Sequence, residues 1–430
     1  MKQLLNQSDE ISRRRFAQTA ANSMLGVGLL PVLSENAFGA GADAATARQV
    51  ATAKRVIYLY MNGGMTHMDT LDVKRGVENQ GPTKAINTSA DGMQISEYLP
   101  NLAKQGHHLG IVNSLSSKTG AHQQGNYLMH TSYEMRGTIK HPGMGAWLLK
   151  FSGRDNMTLP PNVVIGGASR HPGAGFFESR FGPVSIGDPT KGLQNVSTKL
   201  KEEDFSYRLG LSEKLGQKFR EEYGKKDVRA YTSIYEDAVK LMDSPDLEAF
   251  DLSKESEKTR ASYGDDRFGQ GCLLARRLIE SGVKFVEVSL GGWDTHQGNF
   301  TRVPERCDIL DKGMSALISD LESRGLLDDT LIVLTTEFGR TPRINQNLGR
   351  DHYPKAFSCA FAGGGISGGQ RWGKTDENGE TVIENKVAPA DINATIGYAL
   401  GLPLDQVLYS PSKRPFTAAH KGQPIFDLFA

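Results

Sequence analysis

Apolar residues in this chain gather in short β-branched runs separated by longer stretches at helical spacing. Arg55–Met61 (RVIYLYM), Leu109–Asn113, Asn162–Gly167 (NVVIGG), Val283–Ser289, Leu331–Thr335 and Ala356–Phe361 read as strands by their β-branched and aromatic content. Between the fourth and fifth, Leu310, Met314, Leu317, Ile318 and Leu321 recur at helical spacing, and Gly325 is placed to end that helix. Strand, crossover helix and strand predict a parallel pair with a right-handed connection. Asp391–Leu400 (DINATIGYAL) predicts a late helix with Asp391 as its N-cap. Residues 195–280 differ in character. They are rich in Lys and Glu, with helical stretches such as EKLGQKFREEYG and YTSIYEDAVKLMD, and predict a helical section on the sheet flank or a small cap. The fold class is therefore α/β, a sheet with helices on both faces.

Composition narrows the function. The 430 residues are 38% hydrophobic and 23% charged, with a formal charge of +1. Residues 1–42 hold four basic side chains (Lys2, Arg13, Arg14, Arg15) and three acidic ones (Asp9, Glu10, Glu35), so the remainder is formally neutral. A neutral chain makes no electrostatic case for nucleic acid or an anionic membrane. Cys272, Cys307 and Cys359 form no C-x-x-C pair, which argues against a disulfide framework, a Cys-based zinc knuckle, a haem attachment motif or an iron–sulfur set.

The leader carries its own signal. Ser12-Arg13-Arg14-Arg15-Phe16 opens a mildly apolar run, AQTAANSMLGVGLLPVL, followed by small residues. That order predicts an export signal over residues 1–42, and paired arginines before a weak apolar region point to the twin-arginine translocase as partner. Gln18, Asn22 and Ser23 interrupt the run, which is too short and too polar for a stable spanning helix, so no stable membrane insertion is expected once the leader is cleaved. Residues 43–54 read as linker. The main domain is expected over 55–430, in the periplasm or outside the cell.

Candidate chemistry clusters just past predicted strands, where α/β sheets present reactive groups. Asp294 and His296 in GGWDTH would fall on one side of an extended segment, suited to joint metal ligation, with Trp293 packing behind. The alternative is a polar turn capping the next helix. Glu337 follows TLIVLTT directly, where a carboxylate needs a metal or an ion pair such as Arg340. Asp351 and His352 in GRDHY are further ligands or part of a solvated loop. Arg340, Arg343 and Arg350 could grip a tetrahedral anion or pair on the surface. Asn62, His67 and Asp69 follow the first strand and form a possible additional site. His122 sits at a strand-to-helix turn near Ser116, Ser117 and Thr119, hydroxyls that suit N-capping better than nucleophilic attack. His107, His108, His130, His141 and His171 have no comparable partners in sequence and read as ordinary surface or core residues.

The ordered set GGMTHMDTLD, GAHQQGNYLMHTS, HPGMGAW, GGWDTH, TTEFGRTPR and GRDHYP resembles an exported family, domain of unknown function 1501, across nearly the whole mature chain. That family in turn resembles the alkaline phosphatase and sulfatase superfamily. The resemblance implies a three-layer sandwich with a mainly parallel sheet and a helical insertion at 195–280. It also implies a hydrolase of phosphate or sulfate esters, small-molecule or glycan, that uses a divalent metal (Zn, Mn, Ca or Mg). Asp294, His296, Glu337, Asp351 and His352 would hold the metal. Arg340 would hold the anion, and His122 would stand at the nucleophile or acid–base position. Two positions depart from the superfamily pattern: Asn62 stands where a metal-binding Asp is expected, and Phe338 where an imidazole is expected. No C-x-P-x-R or S-x-P-x-R string occurs, which argues against a formylglycine mechanism. The rival expectation is a non-catalytic envelope binding or assembly protein with a degenerate metal site.

Overall fold

The computed structural model describes residues 51–429, apart from 168, 195, 199 and 223–235. The expected export signal and residues 43–50 of the linker lie outside the described residues. Eight strands form one sheet: β1 (Arg55–Met61), β2 (Leu109–Leu115), β3 (Asn162–Ile165), β4 (Val184–Ile186), β5 (Phe285–Leu290), β6 (Thr330–Thr335), β7 (Phe357–Ala362) and β8 (Gln370–Trp372). Their order is β8-β2-β7-β6-β1-β5-β3-β4. β7 pairs antiparallel with both neighbours, and every other pairing is parallel. The expected parallel arrangement therefore holds, with one difference. β5 and β6, joined by the long helix, do not pair with each other. β1 lies between them, with Val56 opposite both Phe285 and Leu331.

The sheet is covered on both faces, which is why its central strands read as unbroken apolar runs. Alternate residues of β1 feed two separate cores. Ile57, Leu59 and Met61 pack with α4 (Arg267–Glu280) and α5 (Asn299–Ser323), through Leu273, Leu310 and Met314 among others. Val56, Tyr58 and Tyr60 pack with α1 (His122–Thr131), α2 (Met144–Ser152) and α6 (Pro389–Ala399), through Met129, Trp147 and Ile396. The result is a three-layer α/β sandwich. α4 is buried in one of those layers, so the carboxyl part of the 195–280 section belongs to the sandwich. α3 (Glu202–Glu222) presents Tyr207, Leu211 and Leu215 to solvent. Two local expectations shift. Asp391 is the third residue of α6, not its N-cap, and its carboxylate accepts the Ala388 N–H at 2.8 Å. The residue before α1 is Ala121, so neither Ser116 nor Thr119 caps that helix. Gly325 does follow the end of α5, at a φ of 66°. No helix among the described residues is long and apolar enough to cross a membrane.

One buried ionic cluster stands out between β5 and α1. Glu287 shares the Phe285 face of β5 and meets His130 Nε2 at 3.0 Å, while His171 Nε2 stands 3.5 Å from the same oxygen. His130 Nδ1 donates to the Asn126 carbonyl at 2.8 Å. Burial opposes charge on His130, but the Glu287 carboxylate outweighs it and raises the imidazole's pKa. Burial likewise opposes ionisation of Glu287, yet the two imidazoles hold its pKa below the usual range. Glu287→Ala should therefore destabilise the fold by roughly 3 kcal/mol or more, because an imidazole that is charged in the native state loses its counter-ion. The raised His130 value makes the pair's contribution fully present below about pH 6.5 and lost as the pH rises through the folded value. Urea denaturation should accordingly show a larger deficit at about pH 6 than at about pH 9. An equal deficit at both would contradict this assignment of charge.

Candidate metal centre at the carboxyl edge of the sheet

Three chain segments leave the sheet at its carboxyl edge and meet there. β1 runs into Asn62-Gly63-Gly64, β5 into Trp293-Asp294-Thr295-His296 and β6 into Thr336-Glu337-Phe338. A short antiparallel ribbon places His352 opposite Arg340. Gly63 has a φ of +122°, and a Cβ there would sit 2.6 Å from the Asp294 nitrogen. Only glycine allows β1 to end so close to the β5 loop. Trp293 and Thr295 are buried, while Asp294 and His296 face out together, as the alternation predicts.

Asp294 is the hub. Its Oδ1 lies 3.2 Å from both His296 Nε2 and His352 Nε2, and its Oδ2 lies 3.5 Å from His122 Nε2. The two Nε2 atoms of His296 and His352 are 3.0 Å apart. Behind each imidazole an acceptor occupies Nδ1: Glu337 Oε1 for His122 at 2.8 Å, Asp351 Oδ1 for His296 at 2.7 Å and the Gly120 carbonyl for His352 at 2.6 Å. Each Nδ1 must carry the proton to make its bond, so each neutral ring turns a bare Nε2 lone pair inward. His122 Nε2 is buried with no hydrogen-bond partner. Bare lone pairs facing one another and a carboxylate repel unless a proton or a cation lies among them.

The donor set fits a metal ion. Carboxylate and imidazole are the usual Zn and Mn ligands, and buttressed Nδ1 atoms are how such imidazoles are held. The separations of 3.0 to 3.2 Å among Asp294 Oδ1, His296 Nε2 and His352 Nε2 are close to the ~3.3 Å edge of a tetrahedron with ~2.0 Å bonds. Electrostatics agree. Burial pushes the Asp294 carboxyl up, but the hydrogen bond and charge of Arg340 outweigh it and hold the pKa down to about 2. Burial and the Arg340 charge lower the pKa of His352, which keeps that ring neutral.

The expected site residues divide by position. Asp294, His296, His352 and His122 converge. Glu337 and Asp351, expected as ligands, stand one shell behind, each spending an oxygen on an imidazole. Glu337 also accepts from the Gly63 amide at 2.9 Å and the Tyr60 hydroxyl at 3.2 Å. Arg340, expected to grip an anion, is fully buried and spends its donors on the carbonyls of Gly63, Gly64 and Arg350 and, at 2.5 Å, on Asp294. Asp69 is committed elsewhere, to Arg350, Thr66, Thr83 and Asn299. His67 is buried, with Nε2 on the Gly379 carbonyl. Asn62 stays at the sheet edge, its backbone N–H donating to the Leu290 carbonyl at 2.9 Å. Phe338, where the resemblance leads one to expect an imidazole, packs its ring 5.0 Å from His122 and 4.7 Å from His352. Sequence reasoning missed the parts played by Tyr60 and the Gly120 carbonyl, and it missed the His130–Glu287–His171 cluster. A lone Glu in the strand run FVEVSL was the available signal for that cluster.

Fold and site together define an α/β protein with a three-histidine, one-carboxylate centre at the carboxyl edge of its sheet. Residues 53–429 match the family model described as Protein of unknown function (DUF1501), and the chain belongs to that family. A search of curated proteins found no match. Among solved structures, the chain is similar to the lipoteichoic acid synthase LtaP from Listeria monocytogenes (12% identity, 86% of this chain and 77% of that one, TM-score 0.41). It is similar also to the PsFucS1 sulfatase from Pseudoalteromonas sp. (12%, 82% and 68%, TM-score 0.39). A third is the alkaline phosphatase from the Antarctic bacterium TAB5 (13%, 76% and 96%, TM-score 0.29).

Glu337→Gln tests the arrangement behind the ligands. It keeps the shape and removes the charge behind His122, so affinity for Zn measured by titration calorimetry should fall ~10–100-fold. Unchanged affinity would remove Glu337 and His122 from the centre.

Proposed function

We propose that this protein is an exported, metal-dependent hydrolase of phosphate or sulfate esters. One observation carries the reading: three imidazoles, each fixed from behind at Nδ1, turn their Nε2 atoms toward the single carboxylate Asp294. His122, Asp294, His296 and His352 would hold a divalent ion, and the nitrogen-rich set favours Zn over Mg or Ca. Such an ion, once held, would supply Lewis-acid polarisation of an ester oxygen and a lowered pKa for water. The chain's own residues prepare the site for it. Arg340 keeps Asp294 ionised and aimed inward. Glu337 and Asp351 hold the Nδ1 protons on His122 and His296. Phe338 closes one wall with an apolar ring. Export and a periplasmic or extracellular location rest on the twin-arginine leader, with the translocase as partner during export.

The second reading, a non-catalytic envelope binding or assembly protein, draws support from Phe338 and from Arg340, whose Nε and both Nη groups are already bonded within the protein, which leaves no guanidinium fork at the centre to grip an anion. Elemental analysis of protein purified after export, with His352→Ala alongside, separates the two. The hydrolase reading expects about one equivalent of metal, lost in the variant, and turnover of p-nitrophenyl phosphate or sulfate that falls by ~100-fold or more. Wild-type protein without metal and without uptake at micromolar levels would favour the binding protein.

A further inference from the structure

The chain is neutral overall, yet one cleft is strongly basic. It measures about 960 Å³ and is lined by Lys118, Arg136, Lys386, Arg414 and Lys421, with Glu134 as its one acidic side chain. These five cations come from four distant parts of the sequence, and all five are exposed. No carboxylate among the described residues forms an ion pair with any of them. Several like charges around one concavity focus a positive potential there and favour an anionic ligand.

Two further features point to a ligand. Tyr133 and Phe416, whose rings meet edge to face at 5.4 Å, give the wall apolar surface between the charges. His141 and His420 complete the lining as neutral hydrogen-bonding groups. Burial, then Arg136 and His420, hold the pKa of His141 down to about 4, and burial, then Lys421 and Arg136, lower that of His420.

The cleft adjoins the candidate metal centre through one loop. Ser116 and Ser117 line the cleft, and their amides bond to the Val387 and Pro354 carbonyls. Lys118 follows, and two residues later the Gly120 carbonyl binds His352 Nδ1. Two residues span at most ~7 Å, so one short loop carries both a wall of the cleft and a support of the centre.

We propose that this cleft is a subsite for the additional anionic groups of a multiply charged oligosaccharide, bearing sulfate or phosphate esters, whose scissile ester lies at the metal centre. Spaced cations recognise the tetrahedral anions and the aromatic rings meet sugar C–H faces. The substrate role rests on the hydrolase reading, whereas binding at the cleft needs no turnover and is tested separately.

Titration calorimetry of the full mature chain against sucrose octasulfate, myo-inositol hexakisphosphate and uncharged sucrose decides it. Wild type should bind one or both polyanions and not sucrose, and should weaken steeply between ~0.05 and ~0.5 M salt. The polyanion that binds tells sulfate from phosphate. Lys386→Glu with Arg414→Glu, and separately Arg136→Glu with Lys421→Glu, should each lose roughly tenfold affinity per reversed charge. Circular dichroism confirms that at least one pair folds. His352→Ala should keep polyanion binding even where hydrolysis is lost. A chain that binds polyanions but hydrolyses no ester refutes the hydrolase reading and leaves the cleft standing. The cleft proposal is overturned if neither polyanion binds, if a folded charge-reversed pair binds as wild type does, or if His352→Ala abolishes binding. Tighter binding of a short single-stranded oligonucleotide than of either polyanion also overturns it.

Discussion

The guanidinium of Arg340 holds the carboxyl edge of the sheet in one arrangement. It is buried between the ends of β1 and β6 and bonds to the carbonyls of Gly63 and Gly64, the carbonyl of Arg350 and the carboxylate of Asp294. A buried cation costs several kcal/mol unless its charge and all its donors are met. Asp294 meets the charge, and with three carbonyls it engages every nitrogen of the guanidinium, so three loops are fixed by the geometry of one planar fork. A lysine could not reproduce that fork. The same bond holds Asp294 ionised and aimed at three imidazoles.

Two histidine–carboxylate clusters lie on α1, and they manage their protons in opposite ways. At the carboxyl edge every Nδ1 is a donor, to Glu337, Asp351 or Gly120, so every Nε2 faces inward as a lone pair. In the interior, His171 Nδ1 accepts the Gly173 amide at 2.9 Å, which places its proton on Nε2, toward Glu287. His130 adds a second proton to that carboxylate. The interior cluster is therefore satisfied by protons, and the edge cluster asks for a cation. Identical residue types differ in chemistry because of what stands behind them.

Much of this was legible in the sequence. β-branched runs placed the strands, and the first strand matches its expected bounds. Alternation put Asp294 and His296 on one side with Trp293 behind. The position of Glu337 just past an apolar strand required a partner. The sequence could not say which carboxylates touch the central point and which stand behind an imidazole, because that depends on register between loops distant in the chain. Glu337 and Asp351 looked like ligands for that reason, and Arg340 looked like a partner for Glu337 or a grip for an anion. Sheet order was hidden too, since β1 enters between β5 and β6. The basic cleft was invisible because its charges are scattered from Lys118 to Lys421 and cancel in the net count.

The central claim is that the four inward-facing groups form one cation site. Crystals grown with Zn and measured with anomalous scattering at its absorption edge test it most directly. The account predicts one strong peak bonded to Asp294 and to the Nε2 atoms of His296 and His352, with His122 Nε2 facing it. No peak at saturating Zn, or a peak held instead by Glu337 or by His130 and Glu287, would contradict it.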